Sequence, residues 1–204
     1  MYETVFNKEL NNWGLELSGT QEGQFERYYE LLVSRNEKVN LTAITEWGEV
    51  CEKHFLDSLS LCKAIDLNAA TSLIDIGTGA GFPGIPLKIM FPGIRVVLAD
   101  ALQKRVDFLN EAISELGLSE ITAVHARAED LGHAPDFRES FDICVSRAVA
   151  SLPLLCEYCL PLVKVGGTFA AYKSALAGEE ISSAENAMNV LGGTFRECRA
   201  RLRR

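Results

Sequence analysis

An apolar run ending in four glycines, Ser72-Leu73-Ile74-Asp75-Ile76-Gly77-Thr78-Gly79-Ala80-Gly81-Phe82-Pro83-Gly84, constrains this chain more than any other stretch. Glycine at such spacing admits positive φ and removes the Cβ that would keep a ligand off the backbone. A helix beginning just behind it would offer its free N–H groups to a polar ligand. The pattern predicts a strand, a tight loop and a helix built around a nucleotide-type cofactor. A glycine pair alone is a weak signal. Here it comes with an acid two residues before the first glycine, Asp75, and a second acid, Asp100, closing the next strand-like run Val96-Val97-Leu98-Ala99-Asp100.

Two cofactor classes ask for different residues at such a loop. Dinucleotide sites favour G-x-G-x-x-G and set a pyrophosphate on the helix N-terminus. This chain has Gly77-x-Gly79-x-Gly81, with Asp75 in the approach. A carboxylate there repels a pyrophosphate but suits a cation such as S-adenosylmethionine, which carries an ammonium and a sulfonium. Asp100 would accept ribose hydroxyls from either cofactor and does not discriminate between them.

Around that loop the chain alternates strand and helix. Residues 73–76, 95–99, 121–125, 141–146 and 167–173 are strand-like, with helical patterns near 84–91, 103–116, 151–163 and 178–191. Gly117 and Gly192 stand as helix stops. Such alternation predicts an α/β fold with a mostly parallel, doubly wound sheet covered on both faces. The first 66 residues read instead as a helical extension packing on that core, with 67–204 as the sheet domain. Phe6, Leu10, Trp13 and Leu17, then Phe25, Tyr28, Tyr29 and Leu32, recur at helical spacing. A third helix is expected from a Thr45 cap, with Glu46 and Glu49 behind it, to about Ile65.

At 204 residues, 48% hydrophobic and 24% charged, the chain matches an ordinary globular protein with one sizeable core. No run of about 18 apolar residues is present, and Met1-Tyr2-Glu3-Thr4 lacks the basic start of a signal peptide, so a cytoplasmic location is expected. The six cysteines then read as buried thiols rather than disulfides. Cys156-Glu157-Tyr158-Cys159 is a single CxxC without a second pair or clustered histidines, so no metal is expected. A net charge of −8 argues against bulk coating of nucleic acid. The segment Phe195–Arg204 holds five arginines against one glutamate, which suits either an RNA contact or a solvated end.

In a doubly wound sheet ligands sit beyond the carboxyl ends of the strands. Those ends are Gly77, Asp100, the turn Ala126-Arg127-Ala128-Glu129-Asp130 and Ser146-Arg147-Ala148. The Ala128-Glu129 turn can give adenine an apolar slot and a hydrogen-bond partner, and Phe82 can add an apolar wall. An arginine closing the strand Phe141–Ser146 would be costly if buried unpaired, so Arg147 has either a ligand role or an ion pair.

Four runs together resemble a known family: Asn36-Glu37-Lys38-Val39-Asn40-Leu41-Thr42-Ala43-Ile44, Lys53-His54-Phe55-Leu56-Asp57-Ser58-Leu59, Asp75 through Pro86, and Ser146-Arg147-Ala148. They are similar to the bacterial small-subunit ribosomal RNA guanine-N7 methyltransferases, also called the glucose-inhibited division protein B family, over roughly residues 30 to 175. The resemblance implies a Rossmann-like methyltransferase that uses S-adenosylmethionine on one guanine of 16S rRNA, and the acidic charge points to that RNA within the 30S subunit or an assembly intermediate. It implies cofactor contacts at Gly77, Phe82, Ala128, Glu129 and Arg147, with Asp100 as the ribose acid, and the loop spacing adds Gly79. The motif around Asn40, His54, Asp57 and Ser58 resembles the family's helical cap. Methyltransferases of this fold add an antiparallel last strand. Here Gly192–Cys198 could supply a sixth strand and no hydrophobic run remains for a seventh, so the C-terminal edge is expected to be altered or truncated.

The chemistry can be checked separately. The segment Ser146-Arg147-Ala148-Val149-Ala150-Ser151-Leu152-Pro153 carries neither the Asn/Asp-Pro-Pro-aromatic run of exocyclic-amine methyltransferases nor a Pro-Cys nucleophile. Guanine N7 has a free lone pair and needs alignment rather than a general base, so none is assigned. Arg147 or Lys173 could donate to guanine O6, and His54 and Asn40 complete the substrate-positioning candidates. A nicotinamide oxidoreductase would want a Tyr-x-x-x-Lys pair, which the chain lacks. A methyltransferase of another substrate and a non-catalytic RNA-binding adaptor are the remaining alternatives.

Overall fold

The structure is a computed structural model that describes residues 3–173 and 178–196. Its strands β1 (Ser72–Ile76), β2 (Arg95–Asp100), β3 (Ile121–His125), β4 (Phe141–Arg147) and β5 (Val163–Tyr172) form one sheet in the order β3-β2-β1-β4-β5. Every neighbouring pair is parallel. Central β1 is buried along its whole length, as a strand with helices on both faces must be.

Alternation along the strands sorts two cores. Leu73, Val96, Leu98, Ile143 and Val145 face one side, where they join residues of α2 (Gly19–Val39), α5 (Gly84–Met90) and α6 (Gln103–Glu115). Ile74, Ile76, Val97, Ala99 and Cys144 face the other, against α7 (Ala128–His133) and α8 (Leu152–Cys159). The chain reverses its winding between β1 and β4. Their carboxyl ends therefore splay apart and open the crevice where such folds take ligands.

The helices before the sheet share its first core. Phe6 of α1 (Glu3–Asn12), Phe25 and Tyr28 of α2, Phe55 and Phe82 form one aromatic cluster with ring centroids 4.9 to 6.2 Å apart. A capping box at Ser18 and Gln21 starts α2. Along its length Gln21 donates to the carbonyls of Ile89 and Met90, Gln24 donates to that of Leu116, and Arg35 pairs with Glu111. That helix is thereby tied to α5 and to α6.

Several expectations change. The first helix stops at Asn12 rather than running to Leu17, because Trp13 and Leu15 turn back onto the Leu10 carbonyl. Thr45 does not cap the third helix. Glu46 holds that position without a side-chain bond, and the Thr45 carbonyl accepts from Tyr29. Nor is that helix uniform: it runs as α3 (Trp47–Val50), a π turn (Cys51–Leu56), α4 (Asp57–Leu59) and a 3₁₀ turn (Ser60–Lys63). β5 starts at Val163, earlier than expected, across a register shift against Phe141 and Ile143. The Ala128-Glu129 turn opens the short helix α7. α9 (Gly178–Val190) packs on α8 through Ala184. Residues 193–196 form no strand, and the remainder of the expected sixth strand and the four arginines from Arg199 onward lie outside the described residues. Among the described residues no helix is long and apolar enough to cross a membrane.

Candidate active site

Asp75 is the organiser of the glycine loop. It is fully buried, and its Oδ2 accepts from Thr78 Oγ1 at 2.7 Å and from the Gly84 N–H at 2.8 Å. Its Oδ1 has no hydrogen-bond partner among the described residues. Burial pushes the carboxyl up to about 6, against the opposing pull of those two bonds and of Arg147. Asp100, 3% exposed, accepts at Oδ2 from the Gly79 N–H at 2.9 Å and from Arg105 at 3.3 Å, and at Oδ1 from the Leu102 N–H at 2.9 Å. Both acids thus stand behind the loop and hold its shape.

Most N–H groups of the loop, and those that open the helix behind it, are spent in the same way, which corrects the expectation that this helix would offer free N–H groups to a ligand. Those of Gly77 and Thr78 donate to the Ala99 carbonyl, Gly79 to Asp100, Gly81 and Phe82 to the Thr78 carbonyl, and Gly84 to Asp75. A pyrophosphate needs such donors. What the loop offers is bare backbone over two carboxylates: Gly79 has φ +62°, and no atom lies within 4 Å of where its Cβ would stand. This fits a cationic, phosphate-free cofactor such as S-adenosylmethionine and not a dinucleotide.

Across the crevice, at the end of β4, Arg147 gathers the helical cap. Its Nη1 donates to Asp57 Oδ2 at 2.8 Å and to the Lys53 carbonyl at 3.2 Å, and its guanidinium carbon lies 5.1 Å from the centre of the Phe82 ring. Nη2 lies 3.3 Å from His54 Nδ1. Nδ1 also lies 3.1 Å from the Lys53 carbonyl; a guanidinium only donates and a carbonyl only accepts, so Nδ1 serves one of the two at a time, while Nε2 lies 2.8 Å from Thr42 Oγ1. Burial first, then Arg147, lowers His54 to about 4, so the imidazole is neutral at physiological pH. The His54 ring stacks on Phe82 at 4.6 Å. Phe82 is 5% exposed, which makes it a floor beneath His54 and Arg147 rather than an open wall.

The other candidates lie around this centre. Lys173 follows β5; it donates to the Ala150 carbonyl at 2.7 Å and pairs with Glu180 at 3.0 Å. Asn40 is an exposed left-handed C-cap of α2 with φ 56°. Two residues later Thr42 reaches His54, so Asn40 sets the turn that delivers Thr42. Ala128 and Glu129 begin α7 beyond β3, where the Glu129 carboxylate raises the pKa of the nearby Tyr158 hydroxyl. Lys53 is ion-paired with Glu49.

Sequence reasoning missed three supports. Tyr28, fully buried, donates to the Ala80 carbonyl at 2.6 Å and pins the glycine loop from α2. Tyr172, at the end of β5, donates to the Ser58 carbonyl at 2.6 Å. Asn36 accepts from the N–H groups of Leu41 and Thr42. Only Asn36 had a local signal, an Asn a turn ahead of a helix end. Among the described residues no group of three or more His, Cys, Asp or Glu could hold a metal ion.

Solved structures place this geometry in a class. The fold matches an S-adenosylmethionine-dependent O-methyltransferase from Thermotoga maritima with a TM-score of 0.54 at 17% identity, over 78% of this chain and 55% of that one. It equally matches the [4+2]-cyclase SpnF, with a TM-score of 0.55 at 18% identity over 85% and 73%. The architecture is that of the Rossmann-like methyltransferases, and by itself it leaves the reaction open. Sequence relatives narrow it. Residues 21–201 match the family model described as rRNA small subunit methyltransferase G. The protein called Ribosomal RNA small subunit methyltransferase G in Lachnoclostridium phytofermentans is 53% identical over 194 residues, 95% of this chain and 80% of its own length. Its namesake in Staphylococcus epidermidis is 50% identical over 191 residues, 94% and 80%. The chain belongs to the rRNA small subunit methyltransferase G family.

Proposed function

We propose that this protein transfers a methyl group from S-adenosylmethionine to N7 of one guanine in 16S rRNA. The carrying observation is the glycine loop, where the N–H groups of Gly77, Thr78, Gly79, Gly81, Phe82 and Gly84 are consumed internally while two buried carboxylates lie behind it. Such a loop selects against phosphate and for a cation, and the family supplies the ribosomal substrate.

Bound along the glycine loop, whose backbone is open at Gly79 and covered by Val149 on the Cβ side of Gly77, the cofactor would supply an electrophilic methyl group. Asp100 holds its ribose through the acceptor capacity left beside three donors, and Ala128 with Glu129 borders its adenine. Arg147, braced by Asp57, orients the reacting end and offers a donor edge toward guanine O6, with Lys173 behind it. Guanine N7 attacks with its own lone pair, so no residue must take a proton first. His54 agrees with this: both ring nitrogens are engaged, Nδ1 with Arg147 or the Lys53 carbonyl and Nε2 with Thr42, and it serves as a positioning group. An acidic chain gains little from naked RNA at physiological salt, so the guanine is read in a folded target, the small subunit or an assembly intermediate.

Mass mapping of 16S rRNA from cells with and without the protein tests the reading. One guanine should lose one methyl group in the deleted strain, and identical maps would sink the proposal. Calorimetry checks the cofactor separately: S-adenosylmethionine should bind with roughly micromolar affinity and NAD should not.

A further inference from the structure

Directly after Arg147 the chain makes a turn that the cofactor and cap do not explain. Ala148 adopts φ 58°, unusual for a residue with a Cβ. This carries Val149 back over the glycine loop, where its Cγ2 lies 2.3 Å from the point a Gly77 Cβ would occupy. The absence of a side chain at Gly77 is therefore what seats Val149. Gly77 itself is fixed by its N–H bond to the Ala99 carbonyl at 2.9 Å.

Both flanks of the turn are clamped. Arg147 is held by Asp57 at 2.8 Å, and the Ala150 carbonyl by Lys173 at 2.7 Å, itself paired with Glu180. Between these clamps Val149 remains 41% exposed. A β-branched side chain is stiff at χ1, so the clamped turn presents a fixed apolar surface at the mouth of the crevice. Two residues before it in the chain stands Arg147, whose guanidinium is held by Asp57 and the Lys53 carbonyl over the Phe82 ring. An apolar face next to a donor edge is the complement of a flat heterocycle that carries an acceptor on its rim.

We propose that Val149 is a substrate-positioning residue, the apolar wall against which the face of the target purine is held while Arg147 meets its edge. The inference rests on the reading of this protein as a guanine methyltransferase. It assigns the base to Val149 and the cofactor to the glycine loop beneath.

The test uses Val149→Asn and Val149→Ile, assayed on purified small subunits, with calorimetric binding of S-adenosylhomocysteine and thermal melting in parallel. Val149→Asn should lower kcat/KM for the particle by about tenfold or more, and Val149→Ile by less than about threefold. Cofactor affinity should stay within about twofold and the melting midpoint should hardly move. Weakened cofactor binding with unchanged turnover of the loaded enzyme would overturn the assignment, as would three unchanged readouts. The seat is tested by Gly77→Ala, whose lost melting temperature should be partly restored when Val149→Ala is added; no restoration overturns the contact. Failure of the unsubstituted protein to methylate any particle would overturn the parent reading and this one together. Turnover by the parent with indifferent variants overturns this one alone.

Discussion

The glycine loop and the helical cap face each other across the crevice, and they satisfy their backbones by opposite means. The loop is served mainly by the two strands beneath it: Asp75 of β1 bonds Thr78 and Gly84, and Asp100 of β2 bonds Gly79. The cap is served from far away, its Lys53 and Ser58 carbonyls accepting from Arg147 and Tyr172 at the ends of β4 and β5. Such a loop needs only β1 and β2 to have paired. A remotely closed cap depends on the finished sheet. Its mixture of α, π and 3₁₀ turns over Trp47–Lys63 is what a helix adopts when distant donors set where its carbonyls point.

The sharpest way to break this contrast lies inside the loop. Gly81 has φ +101°, and a Cβ there would meet Ile85 Cδ1 at 2.5 Å and the Tyr28 hydroxyl at 2.8 Å. Gly81→Ala should therefore cost about 3 kcal/mol or more in denaturant unfolding, adding backbone strain to overpacking. Gly79→Ala carries strain alone, since open space surrounds its Cβ position, and should cost about 1–2 kcal/mol while impairing cofactor binding. Equal losses of stability at the two positions would mean that the loop is not closed against α2 and α5 as described.

The same contrast decides how much was legible in the sequence. The parallel sheet, its five strands and the glycine loop follow from apolar runs and glycine spacing, signals that need only neighbouring residues. The N–H groups that open α5 look free in the sequence, because their acceptors, Asp75 for Gly84 and the Gly81 carbonyl for Ile85, come into place only when the loop folds. The cap was read as one helix since its apolar spacing is helical. Nothing in Trp47–Lys63 announces that Arg147 and Tyr172 will seize its carbonyls. For the same reason α7 was read as a turn: six residues are too few for periodicity to register.

A middle-sized effect comes from a bond that ties the glycine loop to α2. The Tyr28 hydroxyl reaches the Ala80 carbonyl at 2.6 Å in a fully buried setting. Tyr28→Phe keeps the ring in its aromatic cluster and leaves that carbonyl without its donor, which should cost about 1–3 kcal/mol. If the loop is closed mainly by its own acids, cofactor affinity in Tyr28→Phe should fall less than about threefold, measured by calorimetry. A larger loss would move the loop into the remotely supported class and erase the distinction.

The smallest effect is read from pH. In the folded cap His54 titrates at about 4 against 6.5 in a free histidine, so folding excludes the proton. A base lowered in this way contributes its stability fully above pH 6.5 and loses it as pH falls from 6.5 toward 4. Asp75 has the opposite sign, since a carboxyl raised from 3.8 to about 6 destabilises the charged form and gains as pH falls through 6. The two nearly mask each other in the intact protein. His54→Asn separates them, because the amide does not titrate and can keep one hydrogen bond to Thr42 or Arg147. At pH 7.5 this variant should be less stable by about 1 kcal/mol, the value of a lost neutral hydrogen bond. As pH drops below 6.5 the deficit should shrink and then reverse, because only the parent still pays for an excluded proton. Melting midpoints of both proteins across pH 7.5 to about 4.5 decide it, and parallel curves would show that His54 is solvated rather than held between Phe82 and Arg147.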